Sequence, residues 1–143
     1  AEASACATSI MGHRVYQQGS KCENLHGHNY RVHFELEAPD LDDVGRVLDF
    51  SVIKTLLCEW LEEEWDHKML IWKDDPWSRY LLEIDRTVVW TPFNPTAENM
   101  AKHLVEVIGP QRLAGLPCRL VRVEVEETRK CSAAYMLPKG YRS

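Results

Sequence analysis

In the segment KCENLHGHNY, His26 and His28 lie two residues apart at the entry to a stretch of alternating polar and apolar residues. On an extended strand that spacing puts both rings on one face, where two neutral imidazoles can converge on a single cation. The alternation gives them the face of Tyr30, Val32 and Phe34, so they point inward, where an imidazole requires a partner. His13, near the end of the preceding stretch, is the third candidate ligand. Three protein ligands with one position left open is the arrangement of a catalytic zinc site. Taken alone, the His26–His28 pair also reads as two hydrogen-bonded histidines, and His13 alone reads as an edge-of-strand histidine facing solvent; the set of three points to metal.

Cys22 precedes His26 by four positions, on the turn before the strand. The spacing is compatible with two roles. As a fourth zinc ligand the thiol would close the site; beside the cation but unligated it would have a lowered pKa and act as base or nucleophile. Asp66 and His67 put a carboxylate next to an imidazole, a pairing suited to orienting a proton transfer. Glu127 continues the phase of Val121, Val123 and Val125, so it faces inward unless the strand end turns it to solvent. Inward, its two oxygens can accept hydrogen bonds from adjacent N–H donors of a ligand.

These residues need elements to hold them. Residues 29–38 alternate without a break and predict a half-buried antiparallel strand. Residues 51–65 change to helical spacing, with Ser51 as the capping residue. A second helix is predicted over 96–108, started by Pro95 and Thr96 and ended by Gly109 and Pro110. Residues 120–127 alternate again, and a last strand follows around 133–137; a weaker first strand covers 4–15. The order is two strands, two helices, two strands. The 66–95 connection is long for an irregular loop, admits a short strand near 87–90, and is a candidate functional segment.

Composition narrows the function classes. The chain has 143 residues, 45% of them hydrophobic, and 17 basic against 22 acidic side chains for a net charge of −5. One domain over 1–143 fits, large enough to form a core without staples. The acidic balance disfavours nucleic acid, whose affinity for proteins rests on Lys and Arg. The apolar runs are broken well short of the ~20 residues a membrane span needs. Five irregularly spaced cysteines, with no C-x-x-C pair, predict reduced thiols in a soluble cytoplasmic protein.

Several motifs occur together along the chain: GHRV with His13, CENLHGHNY, GRVLDF followed by Lys54, WDH at Trp65 to His67, PFNPTAEN at Pro92 to Asn99, and EET with Tyr135 beyond. This pattern resembles the 6-pyruvoyl-tetrahydropterin synthase and 6-carboxy-tetrahydropterin synthase family over nearly the whole chain. The resemblance implies an α+β tunnelling fold (ββααββ), a four-stranded antiparallel sheet with two helices on one face. Such sheets assemble into barrels as homo-oligomers, typically hexamers, with active sites between subunits. It further implies that His13, His26 and His28 bind zinc, that Cys22 is the proton-transferring base, that Asp66 and His67 are its acid/base partners, and that Glu127 anchors the pterin.

The interval from Cys22 to His26 resembles the bacterial carboxy-forming enzymes. They act on 7,8-dihydroneopterin triphosphate in queuosine biosynthesis and release acetaldehyde and triphosphate; the alternatives are the pyruvoyl-forming reaction on that substrate or a catalytically silent pterin-binding module. The chain departs from the family's usual residues at Ile10 to Gly12, at Arg46 and at Trp65, and Trp65 is expected to reshape the pocket. Thr96, Glu98 and Asn99 read as helix capping and an acidic first turn.

Overall fold

A computed structural model describes residues 1–19 and 21–138. In chain order the elements are β1 (Glu2–His13), β2 (His26–Glu37), helix α1 (50–64), β3 (Met69–Trp72), α2 (Ser78–Ile84), β4 (Val89–Thr91), α3 (97–112), β5 (Arg119–Glu127) and β6 (Cys131–Met136). They form an α+β fold around one mixed sheet of order β4-β3-β1-β2-β5-β6.

The four long strands pair antiparallel, from Glu2 opposite Glu37 to His13 opposite His26 in the first pair. The expected four-stranded antiparallel sheet is therefore too small. β3 joins β1 in parallel, with Gly12 opposite Met69 and His13 opposite Leu70, and β4 joins β3 in parallel. Both added strands come from the 66–95 connection and have four and three residues, too few for a period-2 signature to develop.

One face of the sheet is covered. Val32, Phe34, Leu36, Val123 and Val125 bury against Ile53, Leu57 and Leu61 of α1 and Met100 and Leu104 of α3. Truncating one such residue, as in Leu57→Ala, is expected to cost about 2–5 kcal/mol. The other face is open: Thr8, Ile10 and Arg31 project to solvent. Among the described residues no helix is long and apolar enough to cross a membrane.

Both long helices contain one wide turn. α1 runs through Phe50–Ile53, a π turn at Lys54–Cys58 and Glu59–Glu64. Asp49, rather than Ser51, caps it, accepting from the Ser51 amide and hydroxyl. α3 runs through Ala97–His103, a π turn at Leu104–Ile108 and Gly109–Arg112, so Gly109 and Pro110 do not end it. The π turn shifts the Gly109 amide to the Leu104 carbonyl, a register change of the kind that lets a helix absorb proline. Gly109 serves close approach: a Cβ there would lie 2.9 Å from Leu120 Cβ.

Trp65 is buried among aromatic rings, edge-on to Trp60 and stacked on His103, so its size fills the core instead of shaping a pocket.

Candidate active site

The β1–β2 register builds the histidine cluster. His13 sits opposite His26, and His28 opposite Met11, so the three side chains share the covered face at one end of the sheet. Their ring centroids are 4.5 Å (His13–His26), 5.3 Å (His13–His28) and 4.9 Å (His26–His28) apart. One nitrogen from each lies within 4.8 Å of the others.

Backbone carbonyls orient two of these rings. His13 Nδ1 is 2.7 Å from the Pro95 carbonyl, and His26 Nδ1 is 2.7 Å from the Asn24 carbonyl. A carbonyl only accepts, so each Nδ1 carries the hydrogen and each Nε2 keeps its lone pair for a cation. His13 is buried, and its pKa falls to about 4. Burial is the main cause, the neighbouring His26 and His28 add to it, and the Pro95 carbonyl offsets it in part. Near neutral pH His13 is therefore in the form a metal requires.

The segment 92–99 carries more than a helix cap. Thr96 caps α3 by accepting from the Asn99 amide at 3.1 Å, as its sequence position predicts. Beyond that, Asn94 brackets Tyr16, accepting from its amide at 3.0 Å and donating to its carbonyl at 2.8 Å, while Asn99 donates to the Asn94 carbonyl. This segment holds the chain just past His13 and presents the carbonyl that fixes the His13 ring. A main-chain acceptor has no side-chain signature; the two asparagines around Pro95 were the only signal.

Cys22 lies in a single 3-10 turn (Lys21–Glu23) between β1 and β2. Its carbonyl accepts from the Val15 amide at 2.9 Å, which holds the turn beside the chain leaving His13. The convergent group is formed by the three histidines, and the Cys22 sulfur is not part of it. None of the five cysteines is in a disulfide.

Glu127 ends β5 opposite Tyr30, on the histidine side of the sheet. Its Oε2 is 4.0 Å from His28 Nε2, and Tyr30 donates to its Oε1 at 3.5 Å. The side chain is 25% exposed, so the carboxylate lies near His28 and still meets solvent. Burial, followed by the Glu127 charge, pushes the Tyr30 phenol well above its ordinary pKa and keeps it a donor.

Asp66 and His67 do make contact: His67 Nδ1 is 2.9 Å from Asp66 Oδ2. Asp66 also accepts from the Ser9 hydroxyl at 2.9 Å and the Ile10 amide at 2.7 Å. Burial alone would raise its pKa, but the Ile10 amide, His67 and Ser9 outweigh that and hold it low. His67 has φ 60°, and its amide donates to the Ile10 carbonyl, so the strained turn aims an exposed ring outward. The pair borders a cavity of about 800 Å³ whose walls include Thr8, Asn29, Arg31 and Arg129 but none of the three histidines. Within one chain the pair and the histidine cluster thus border different spaces.

Comparison with known proteins identifies the family and the fold. The model of the 6-pyruvoyl tetrahydropterin synthase family matches residues 7–138. A 6-carboxy-5,6,7,8-tetrahydropterin synthase of Rickettsia conorii is 33% identical over 122 residues, covering 84% of this chain and 88% of that protein. One from Aquifex aeolicus is 31% identical over 148 residues, covering 87% and 90%. The fold is shared with an uncharacterised protein of Wolinella succinogenes, with a TM-score of 0.83, 24% identity and coverage of 96% and 98%. It is shared also with the 6-pyruvoyl tetrahydropterin synthase of Caenorhabditis elegans, with a TM-score of 0.70, 21% identity and coverage of 96% of each chain. The chain belongs to the 6-pyruvoyl tetrahydropterin synthase family.

Proposed function

We propose that this protein is a zinc-dependent lyase, a single domain over 1–143. It converts 7,8-dihydroneopterin triphosphate to 6-carboxy-5,6,7,8-tetrahydropterin, acetaldehyde and triphosphate, in queuosine biosynthesis in the cytoplasm. The observation that carries the proposal is the convergence of His13, His26 and His28, with Glu127 4.0 Å from His28. The donor set fits zinc: three imidazoles, two with Nδ1 committed to carbonyls and one of those held neutral by burial. When bound, zinc supplies a Lewis acid for the side-chain oxygens of the substrate.

Around it, the chain's own groups divide the remaining work. Glu127 accepts two hydrogen bonds from the amino group and the ring N–H of the pterin, fixing the ring's orientation. Cys22, on its turn beside His13, removes a proton from the side chain. Asp66 holds the His67 ring at Nδ1, leaving Nε2 to pass a proton. Because this pair borders a different space from the histidines, its role requires a second copy whose Asp66 and His67 complete the site. That supports a homo-oligomer, with a hexamer favoured.

The carboxy-forming reaction is preferred over the pyruvoyl-forming one for two reasons: the names of the relatives at 33% and 31% identity, and the three residues between Cys22 and His26. Mass spectrometry after incubation with 7,8-dihydroneopterin triphosphate tests it. The expected products are 6-carboxy-tetrahydropterin and acetaldehyde; 6-pyruvoyl-tetrahydropterin would assign the other reaction, and unchanged substrate would leave a pterin-binding module.

A further inference from the structure

We infer that Arg14, locked in place by Asp75 and Trp77, is a positioning residue that fixes the turn bearing Cys22. The inference rests on the proposed role of Cys22 and concerns what holds that thiol in register with the histidine site.

A single 3-10 turn has little stability of its own, so whatever holds Lys21–Glu23 must come from outside it. Arg14 supplies the side-chain part. Its Nε donates to the Glu23 carbonyl at 2.8 Å, and its Nη2 lies 4.0 Å from Glu23 Oε2. The Glu23 carboxylate in turn accepts from the Gly19 amide at 2.6 Å. Together with the bond from the Val15 amide to the Cys22 carbonyl, this ties the turn to the chain just past β1 at Cys22 and at Glu23.

The guanidinium is itself fixed from the far side. Its Nη1 donates to Asp75 Oδ1, and its Cζ lies 3.7 Å from the centroid of the Trp77 ring. Asp75 is placed by the turn after β3: its amide donates to the Trp72 carbonyl, and its Oδ1 accepts from the Trp77 amide.

This arrangement is a poor way to gain stability. The Arg14 and Asp75 side chains are 6% and 0% exposed, and the buried Asp75 Oδ2 has no hydrogen-bond partner among the described residues. Taking both charges out of water costs as much as their attraction returns, and the orphaned oxygen adds to that cost. What the pair does provide is direction. The guanidinium is planar and presents its donors at fixed angles; one faces the 66–95 connection and another the Cys22 turn. Lysine would keep the charge but has no second fixed donor and no plane to lay on Trp77.

The test reads the thiol and the reaction separately. Arg14→Lys is expected to lower kcat about 10- to 100-fold, the scale of a misplaced catalytic group, with KM for 7,8-dihydroneopterin triphosphate within about threefold and zinc content unchanged. Independently of turnover, iodoacetamide labelling mapped by mass spectrometry is expected to show Cys22 alkylated at least about fivefold faster, as its turn opens locally, while Cys58 and Cys118 keep their rates.

Trp77 is exposed, so replacing it does not open the core. Trp77→Ala is expected to move both readouts the same way by less, and Trp77→Phe to restore them. An unchanged Cys22 labelling rate, or equal acceleration at all cysteines, overturns the inference. So does a fall in kcat matched by loss of zinc. Cys22→Ala run in parallel isolates the underlying reading: if it turns over normally, Cys22 is not the base, while the labelling result still decides what Arg14 does.

Discussion

Two histidine clusters share strand β2 and face opposite ways. On the covered face His26 and His28 meet His13; on the open face His33 meets Glu124 and Glu126 of β5. In both, the candidate ligand atoms lie within 4.8 Å of one another, so distance does not separate them. What separates them is what each group is already bonded to. In the first cluster two Nδ1 atoms are committed to backbone carbonyls, which leaves the Nε2 lone pairs of those rings for a cation. In the second, His33 Nε2 is 2.6 Å from Glu126 Oε2, while Arg122 reaches Glu124 at 3.7 Å and Glu35 at 3.3 Å. A cation there would have to displace bonds already made. The hydrogen bonds behind a ring, more than the spacing of its nitrogens, make it a metal ligand.

The largest expected effect breaks this comparison outright if it fails. His26→Ala and His28→Ala should each remove zinc and abolish turnover, whereas His33→Ala should retain both, as read by metal analysis and product formation. Zinc lost from the His33→Ala protein would reverse the assignment of the two clusters. Next in size is Cys22→Ala, expected to lower turnover about 10²–10⁴-fold, the worth of a positioned base, with zinc retained. Zinc lost with Cys22 would make the thiol a fourth ligand and the site closed.

The covered cluster also has an acid signature. His13 has a pKa of about 4 in the folded chain and about 6.5 unfolded, so below pH 6.5 the unfolded chain binds the extra proton. Its contribution is therefore complete above about pH 6.5 and is lost as the pH falls toward 4, by up to about 3 kcal/mol. Urea unfolding of chelator-treated protein across that range should show the loss. His13→Gln, which cannot titrate, should flatten the profile; an equal slope in both proteins would mean that His13 is solvated.

The sequence made these regions legible to different degrees. The pairing of His26 with His28 followed from strand period alone, as did the phase shared by Val121, Val123, Val125 and Glu127, because alternation in a long strand is a geometric constraint. The helix ends were less legible. Asp49 displaced Ser51 as cap, and α3 ran through Gly109 and Pro110, because packing against Leu120 and a π turn overrode local punctuation. Least legible were β3 and β4. Their parallel pairing depends on Gly12 and His13 meeting Met69 and Leu70, residues far apart in the chain whose short runs carry no period. The Pro95 carbonyl behind His13 has no side-chain signature of its own, since every residue has a carbonyl, and only Asn94 and Asn99 around it gave a signal.

The smallest effects compare neighbours. Glu126 and Glu127 are adjacent on β5 and therefore face opposite sides of the sheet, one toward His33 and the other toward His28 and Tyr30. Glu127→Gln keeps the size and one acceptor but turns the other oxygen into a donor. One pterin N–H would then face an N–H in a partly enclosed site, which should cost about 1–3 kcal/mol, roughly a ten- to hundredfold loss of affinity for a non-reacting pterin such as biopterin. Zinc content should not change. Glu126→Gln removes a charge from a contact a third exposed on the open face, where ion pairs are screened and contribute about 0–1 kcal/mol. Calorimetric titration should therefore find biopterin affinity unchanged in Glu126→Gln and reduced in Glu127→Gln, with thermal unfolding of the Glu126 variant within a few degrees of the parent. Equal affinity in all three proteins would mean that the pterin is held elsewhere. A loss confined to Glu126→Gln would place the ring on the open face, and the contrast between the two sides of the sheet would have to be redrawn.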